Sequence, residues 1–266
     1  MLEIIIRCAT ASTPCLAMPC RQCEDLCGGA HLTEIQLSVA VNVQLPPFTT
    51  WRHAGEKGYN ISLLERLAKR SNTAPDHNLL TIQYRMHPHI ADVVSSTFYE
   101  DKLTTASSVV RARRREDPVR FIDVNGQEEK QGFSFKNQAE VSLVLRIAQS
   151  ELLEHPGKLI NIIAFHKPQM FAIRNELELR GLKREGHVDV ITVDSMQGRE
   201  ADVIVLSCVR TGSNIGFLND RKRLNVAISR AKEVLYIVGD YDTLVSYGST
   251  QWKLALGHRH VTHYSM

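Results

Sequence analysis

The sequence predicts an α/β fold built on a doubly wound, mostly parallel sheet, and two observations carry this prediction. Three short apolar runs rich in Val and Ile are typical of strands buried on both faces, at Val188–Val193, Val203–Cys208 and Val234–Val238. Helix-period patterns also alternate with further apolar runs upstream, and such alternation favours parallel strands joined by crossover helices. Helices are therefore expected on both faces of one sheet.

The remaining elements follow in order from Leu79. Upstream of the three apolar runs named above, strand patterns occur at Leu79–Gln83, Val119–Val124 and Leu159–Phe165. Pro88 is suited to a first helical turn, Gly181 to a position just past a helix end, and Asn137 with Glu140 has the spacing of a capping box. The predicted helices span 88–98, 137–154, 168–180 and about 221–232.

Composition limits the possible classes of protein. The chain has 266 residues, a net charge of +3 and 43% hydrophobic residues, which are ordinary values for a globular protein. It contains no run of eighteen or more apolar residues, so no membrane span is expected. Its first twenty residues lack the pattern of a secretory signal, so no such signal is expected. Five of its six cysteines crowd between Cys8 and Cys27, which favours a reducing compartment, cytoplasmic or nuclear.

Three longer motifs carry a resemblance to a known family. They are Gln83–Pro88 (QYRMHP), Thr192–Asp202 (TVDSMQGREAD) and Arg223–Lys232 (RLNVAISRAK). In this order they resemble motifs IV, V and VI of superfamily 1 helicases, in the branch of the nonsense-mediated-decay RNA helicase. The resemblance implies a RecA-like, P-loop NTPase-type fold for residues 71–248, corresponding to the second helicase core domain, and leaves 249–266 as a tail.

The resemblance also implies a nucleotide site. It gives Arg85 and Arg230 the catalytic task of stabilising charge on the γ-phosphate of ATP, with Mg²⁺ as the other cofactor of the family. Arginine side chains are planar, bidentate phosphate ligands. The seven-residue spacing of Arg223 and Arg230 predicts that both lie on one face of a helix. The remaining nucleotide contacts implied are Gln44, Tyr84 against adenine, Gly198 and Glu200.

Other motif residues point to nucleic acid. Thr192 and Ser195 offer hydroxyls to a phosphate, as motif V does in the family, and His166 lies near the nucleic-acid track that the resemblance implies. Asp194 couples that track to the nucleotide site or, as an equal alternative, caps its own loop. The expected partners are single-stranded RNA or DNA and helicase or RNA-processing proteins. The basic run 111–117 contacts phosphates or is a solvated loop.

The loop positions of these residues lead to a geometric prediction. Arg85, Gln197, Glu200 and Arg230 span 146 residues of the sequence, yet each is expected to follow a strand end. Because ligand loops of a parallel sheet gather at the carboxyl ends of its strands, the four side chains are expected to converge there.

Residues 1–70 are expected to be an eroded remnant of the first RecA-like domain. Gln44–Pro47 keeps the end of motif III, but its Gly-Asp and the paired acidic residues of motif II are missing, and no G-x-x-x-x-G-K-[ST] loop occurs anywhere. Cys20, Cys23, Cys27 and His31 have the spacing of zinc ligands, but free thiols are favoured and no metal site is predicted. This chain alone is therefore expected to be inactive, or to be a non-catalytic module that binds nucleic acid or a helicase partner.

Overall fold

The computed structural model describes residue 45, residue 53, residues 56–59, residue 61, residues 80–182 and residues 187–265. The chain divides into two compact units, one comprising 1–42 and 46–80 and the other comprising 43–45 and 81–266. Gln44, the cysteine–histidine cluster and most of the predicted remnant 1–70 lie outside the described residues. Within the described part, no helix is long and apolar enough to cross a membrane.

The second unit contains ten strands and eight α-helices among its described residues. The strands are β1 Ile82–Gln83, β2 Thr104–Thr105, β3 Val119–Asp123, β4 Glu128–Gln131, β5 Ser134–Asn137, β6 Ile160–Ala164, β7 Val188–Thr192, β8 Ala201–Ser207, β9 Ala231–Gly239 and β10 Thr262–Ser265. The helices are α1 Pro88–Phe98, α2 Ser107–Ala112, α3 Gln138–Glu154, α4 Lys167–Leu179, α5 Val193–Met196, α6 Arg221–Ile228, α7 Tyr241–Tyr247 and α8 Thr250–Leu256.

Six strands form one sheet in the order β10-β3-β9-β8-β6-β7, and every neighbouring pair is parallel. The predicted α/β class with a doubly wound parallel sheet is confirmed. The sheet has an amino edge, where its strands begin, and a carboxyl edge, where they end. Two small additions flank it: β1 pairs with β2, and β4 with β5 forms an antiparallel hairpin that the sequence patterns did not predict.

Alternating side chains of the strands divide the core into two layers. Ile204, Leu206 and Ile237 face one side, where α1, α6 and α8 supply buried partners such as Ile90 and Trp252. The intervening residues face α3 and α4 and pack against a second cluster, which contains the predicted apolar face of α3: Val141, Val144, Leu145, Ala148 and Leu152. Burial on both faces explains why the strands read as continuous apolar runs.

The helix boundaries show where the capping residues in the sequence were sufficient to predict a helix end. The α1 helix spans the predicted residues, and α4 ends before Gly181, whose φ of +64° suits a helix stop. Asn137 accepts hydrogen bonds from the amides of Ala139 and Glu140, as predicted for a cap. The capping box is incomplete, because the Glu140 carboxylate instead accepts from the amide of Val209 at 2.8 Å.

The prediction that residues 249–266 form a tail outside the domain is wrong. Helix α8 and strand β10 belong to the unit, because β10 pairs with β3 from Thr262 to Ser265. Trp252 of α8 is completely buried, and its Nε1 donates a hydrogen bond to the carbonyl of Leu218 at 2.7 Å. These residues therefore complete one side of the core.

Candidate nucleotide site and nucleic-acid face

A charged cluster lies at the amino edge of the sheet. Arg85 donates from Nε to Glu200 Oε2 at 2.6 Å and from Nη1 to the carbonyl of Ser229 at 3.3 Å. Lys232 Nζ lies 2.8 Å from Glu200 Oε1 on the other side of the same carboxylate. Residues from three motifs therefore meet at one point, although Arg85 lies 115 positions before Glu200 in the sequence.

The prediction that these residues meet at the carboxyl edge of the sheet is wrong, because the cluster lies at the amino edge. Glu200 precedes β8 and Arg230 precedes β9, so both lie where strands begin and not where they end. The reason is the short α5 crossover: the chain leaves β7 at Thr192 and returns to the start of β8 within eight residues. Gln197 is exposed at the end of α5, and the described residues show no hydrogen bond from it to this cluster.

Glu200 is held as a carboxylate by its neighbours. Partial burial works to raise the pKa of Glu200, but hydrogen bonds from Lys232 and Arg85, together with their charges, outweigh it and lower the pKa to about 2. The carboxylate therefore fixes Arg85 in place and leaves part of the Arg85 guanidinium directed at Ser229.

The pH dependence of this cluster is predictable. The pKa of Glu200 is lower in the folded chain than its ordinary 4.5. The stability that the ionised Glu200 adds to the fold is therefore complete above pH 4.5 and is lost as the pH falls toward 2. We expect Glu200→Gln to lower the free energy of unfolding at neutral pH by on the order of 1 kcal/mol, since the carboxylate is half-exposed.

Urea unfolding followed by circular dichroism, from neutral pH down to about pH 3, measures both proteins. The difference between wild type and Glu200→Gln is expected to shrink on acidification. Glu176→Gln is the matched control, because Glu176 pairs with Arg180 on the surface of one helix. A difference independent of pH would show that the Glu200 charge does not hold the cluster.

Arg230 is the most unusual member of this region. Its side chain is completely buried, and none of its three guanidinium nitrogens has a hydrogen-bond partner among the described residues. Burial, followed by the nearby positive charge of Arg85, lowers the pKa of Arg230 to about 10, although Tyr99 and Glu200 oppose this shift. A buried cation with unused donors is suited to receive an anion.

The predicted helical position of Arg230 is wrong. Helix α6 ends at Ile228, Ser229 caps it, and β9 begins at Ala231, so Arg230 lies in a tight turn. Arg223 remains in α6, where it pairs with Asp194 at 2.9 Å and Asp220 at 2.8 Å. The two arginines consequently serve different surfaces instead of one helix face.

Gly198 and Glu200 line an open pocket of about 640 Å³ at the amino edge, together with Asn161, His187 and Asp189. Gly198 has a φ of +85°, a conformation that residues with a side chain rarely adopt. Tyr84, next to Arg85, is 69% exposed and its ring is open to contact. The predicted nucleotide residues 84, 85, 198, 200 and 230 therefore belong to the amino-edge side of the sheet.

The predicted nucleic-acid residues occupy the opposite, carboxyl edge. Thr192 ends β7 in register with Ala164 of β6, and its hydroxyl shares a hydrogen bond with that of Ser195 at 3.0 Å. Asp194, left open between coupling and capping, bonds to Arg223 and so ties this loop to α6. The hydroxyl pair lies on the protein surface beside that ion pair.

His166 follows β6 at the same edge. It is 4% exposed, its Nδ1 shares a 3.0 Å hydrogen bond with the Ser134 hydroxyl, and its Nε2 has no hydrogen-bond partner in the described part of the chain. Burial, then the charge of Arg210, lowers the pKa of His166 to about 4, so the ring is neutral at physiological pH. A neutral imidazole contacts nucleic acid through one hydrogen bond or its ring, and not through charge.

Two of the four arginines in the basic run 111–117 are engaged in the fold, and the other two, Arg111 and Arg114, are exposed. Arg113 bonds to Glu233 at 3.1 Å and Arg115 bonds to Glu151 at 2.8 Å, and both acidic partners are nearly buried. These arginines therefore anchor the loop to β9 and α3 instead of forming a free phosphate-binding patch. Sequence reasoning missed this role, and it also missed Lys232, although Lys232 stands inside the third motif.

A parallel α/β domain that presents these three motifs at its loops is a helicase core domain. The chain belongs to the AAA domain family, whose model matches residues 59–242. Together with the relatives found for it, this match identifies a superfamily 1 helicase of the branch that contains the regulator of nonsense transcripts and the Sen1 helicases.

Among the relatives, the human probable helicase senataxin is 34% identical over 221 residues, covering 76% of this chain and 8% of that protein. The Dictyostelium discoideum regulator of nonsense transcripts 1 is 37% identical over 218 residues, covering 76% of this chain and 16% of its own length. The chain thus spans a small part of these relatives.

A solved C-terminal domain of a possible DNA helicase from Lactobacillus plantarum is also similar. It has a TM-score of 0.46 and 16% identity, with 68% of this chain and 98% of that chain covered.

Proposed function

We propose that this chain is the C-terminal RecA-like domain of an ATP-dependent helicase that acts on single-stranded RNA or DNA in the cytoplasm or nucleus. The observation that carries the proposal is Arg230, a buried guanidinium with three nitrogens that no described residue satisfies. Such a group is costly in a folded protein unless an anion joins it in the functional complex. The γ-phosphate of ATP is the anion proposed.

Arg85 and Arg230 would have different roles at that phosphate. Arg85 is positioned by Glu200 and Ser229, so its guanidinium is oriented before a ligand arrives. Arg230 would stabilise the charge that develops on the transferring phosphoryl group, a contribution typical of an arginine finger. Neither residue can hold the nucleotide alone, because catalysis requires a phosphate cradle that fixes ATP in place.

Gly198 and Glu200, which line the pocket at the amino edge, and the neighbouring Tyr84 would supply further nucleotide contacts. The Glu200 carboxylate can accept hydrogen bonds from ribose hydroxyls, and Gly198 allows close approach of the backbone. The exposed ring of Tyr84 offers a flat surface to the adenine base. The described residues contain no group of three potential metal ligands.

On the opposite edge, the Thr192 and Ser195 hydroxyls would contact the phosphates of a single strand. The Asp194–Arg223 pair lies between this contact and α6, the helix that leads directly into Arg230. We propose that this continuous route couples nucleic acid at one edge of the sheet to the nucleotide at the other.

The alternative function is a non-catalytic module that binds nucleic acid or a helicase partner. One sequence observation favours it: the chain contains no G-x-x-x-x-G-K-[ST] loop. The two proposals differ in whether the arginines at the amino edge ever act on a nucleotide.

We expect purified chain to hydrolyse ATP no faster than background, with or without single-stranded RNA, because one wall of the site is missing. A steady-state phosphate-release assay measures this, and the same preparation is expected to bind single-stranded RNA in a fluorescence anisotropy titration. Arg230→Ala is the control for contaminating ATPases. Turnover that disappears in Arg230→Ala would contradict the expectation and reveal a phosphate site within the chain.

A further inference from the structure

Rings and guanidinium groups form a continuous series along the carboxyl edge. Arg210 lies over the Phe135 ring at 3.8 Å, the Phe135 and His166 rings are 5.8 Å apart, and those of His166 and Phe217 are 6.3 Å apart. Arg223 then lies 5.1 Å from the Phe217 ring centroid. We name these five residues the aromatic row. They come from three separate regions of the chain, at Phe135, at His166 and between 210 and 223, so the fold brings them together.

The inner part of the aromatic row is fixed by the protein itself. Arg210 donates to Glu128 Oε2 at 2.6 Å, and Ser134 shares a hydrogen bond with His166. Both anchors belong to the β4–β5 hairpin, whose position is thereby tied to β6 and to the loop after β8. The base of the aromatic row is accordingly held in one arrangement before any ligand arrives.

The outer part of the aromatic row is different, because Phe217 is 57% exposed. It lies in a short 3₁₀ turn, Gly216–Asn219, whose neighbouring Leu218 is completely buried and accepts the Trp252 hydrogen bond. Leu218 therefore anchors the turn in the core, while the Phe217 ring is directed outward. An aromatic ring in that position contributes little to the core, and it is available to a ligand.

We propose that Phe217, backed by His166 and flanked by Arg223, stacks on an unpaired base of single-stranded nucleic acid. This inference rests on the proposed nucleic-acid contact of Thr192 and Ser195 and adds the part of the strand that is recognised. The Asp194–Arg223 pair joins the hydroxyl pair to the aromatic row, so phosphate contacts and ring contacts lie side by side.

The charge of this surface favours single-stranded nucleic acid over an apolar ligand. The exposed Lys167 directly follows His166 at the start of α4, whereas Arg223, which lies over the Phe217 ring, is already paired with Asp194 and Asp220. A flat ring near an exposed lysine is suited to a base whose own phosphates are anionic, and stacking tolerates every base because each has a π-face. A paired base has both faces covered by its neighbours, so the surface favours single strands over duplexes.

The test compares binding of fluorescent single-stranded RNA to the full chain and its variants. Phe217→Ala is expected to weaken binding on the order of tenfold, and Phe217→Trp is expected to restore it. Phe171→Ala is the matched control, because Phe171 is 53% exposed on α4 and has no place in the aromatic row. Its affinity is expected to equal that of wild type.

An abasic strand with the same number of phosphates separates stacking from charge. Wild type is expected to bind the abasic strand more weakly than the normal strand, and Phe217→Ala is expected to bind both alike. Unchanged affinity in Phe217→Ala, failure of Phe217→Trp to rescue it, or equal wild-type affinity for both strands would each overturn the stacking inference. Wild-type binding to neither strand would overturn the proposed nucleic-acid contact itself.

Discussion

Arg230→Met is expected to raise the free energy of unfolding of this chain by about 1–4 kcal/mol, although it removes a residue of the candidate site. The Arg230 guanidinium is buried without a hydrogen-bond partner among the described residues, so the fold carries the cost of an uncompensated charge. Methionine has a similar length and adapts well to irregular space in a core. A residue kept for function at the expense of stability behaves in this way.

Urea unfolding followed by circular dichroism measures this change. Arg180→Met is the matched control, since Arg180 pairs on the surface with Glu176 and its replacement is expected to change stability by less than about 0.5 kcal/mol. A loss of stability in Arg230→Met would show that Arg230 supports the fold, and the functional interpretation would then fail.

The same residue is expected to be essential once the site is complete. In a hybrid protein, the matched segment of this chain replaces its counterpart in the longer Dictyostelium discoideum relative, of which it covers 16%. Arg230→Ala in that hybrid is expected to reduce RNA-stimulated ATP turnover by on the order of a thousandfold. Arg180→Ala is expected to leave it unchanged, and equal turnover of the two variants would refute the arginine-finger assignment.

Trp252→Ala is expected to lower the free energy of unfolding by about 3–5 kcal/mol. Trp252 is completely buried in the core layer formed by α1, α6 and α8, so its removal leaves a cavity, and the Leu218 carbonyl loses its 2.7 Å hydrogen bond. Trp252→Phe retains most of the ring, and its smaller loss measures the hydrogen bond together with the remaining change in volume.

Leu254→Ala is the control on the same helix, because Leu254 is 47% exposed. Its replacement is expected to change stability by less than about 1 kcal/mol. Similar small effects for Trp252→Ala and Leu254→Ala would indicate that residues 249–266 are a peripheral tail after all.

The sequence by itself determined the elements and the motif residues. Val188–Thr192 and Ala231–Gly239 are strands because their Val and Ile side chains are buried on both faces, and this leaves a continuous apolar run that is visible locally. Helices α1 and α3 begin at Pro88 and after Asn137, where local capping chemistry is sufficient. The residue identities in the three motifs likewise indicated the family without any coordinates.

Only the tertiary structure decided how those pieces meet. The choice of edge depended on the α5 crossover, which carries Glu200 back to the start of β8 before it bonds to Arg85. The burial of Arg230 and Trp252 and the approach of Phe217 to His166 depend on elements far apart in the chain. Sequence periodicity reports the neighbours within one turn or strand, whereas contacts between distant segments are set by how the whole sheet packs.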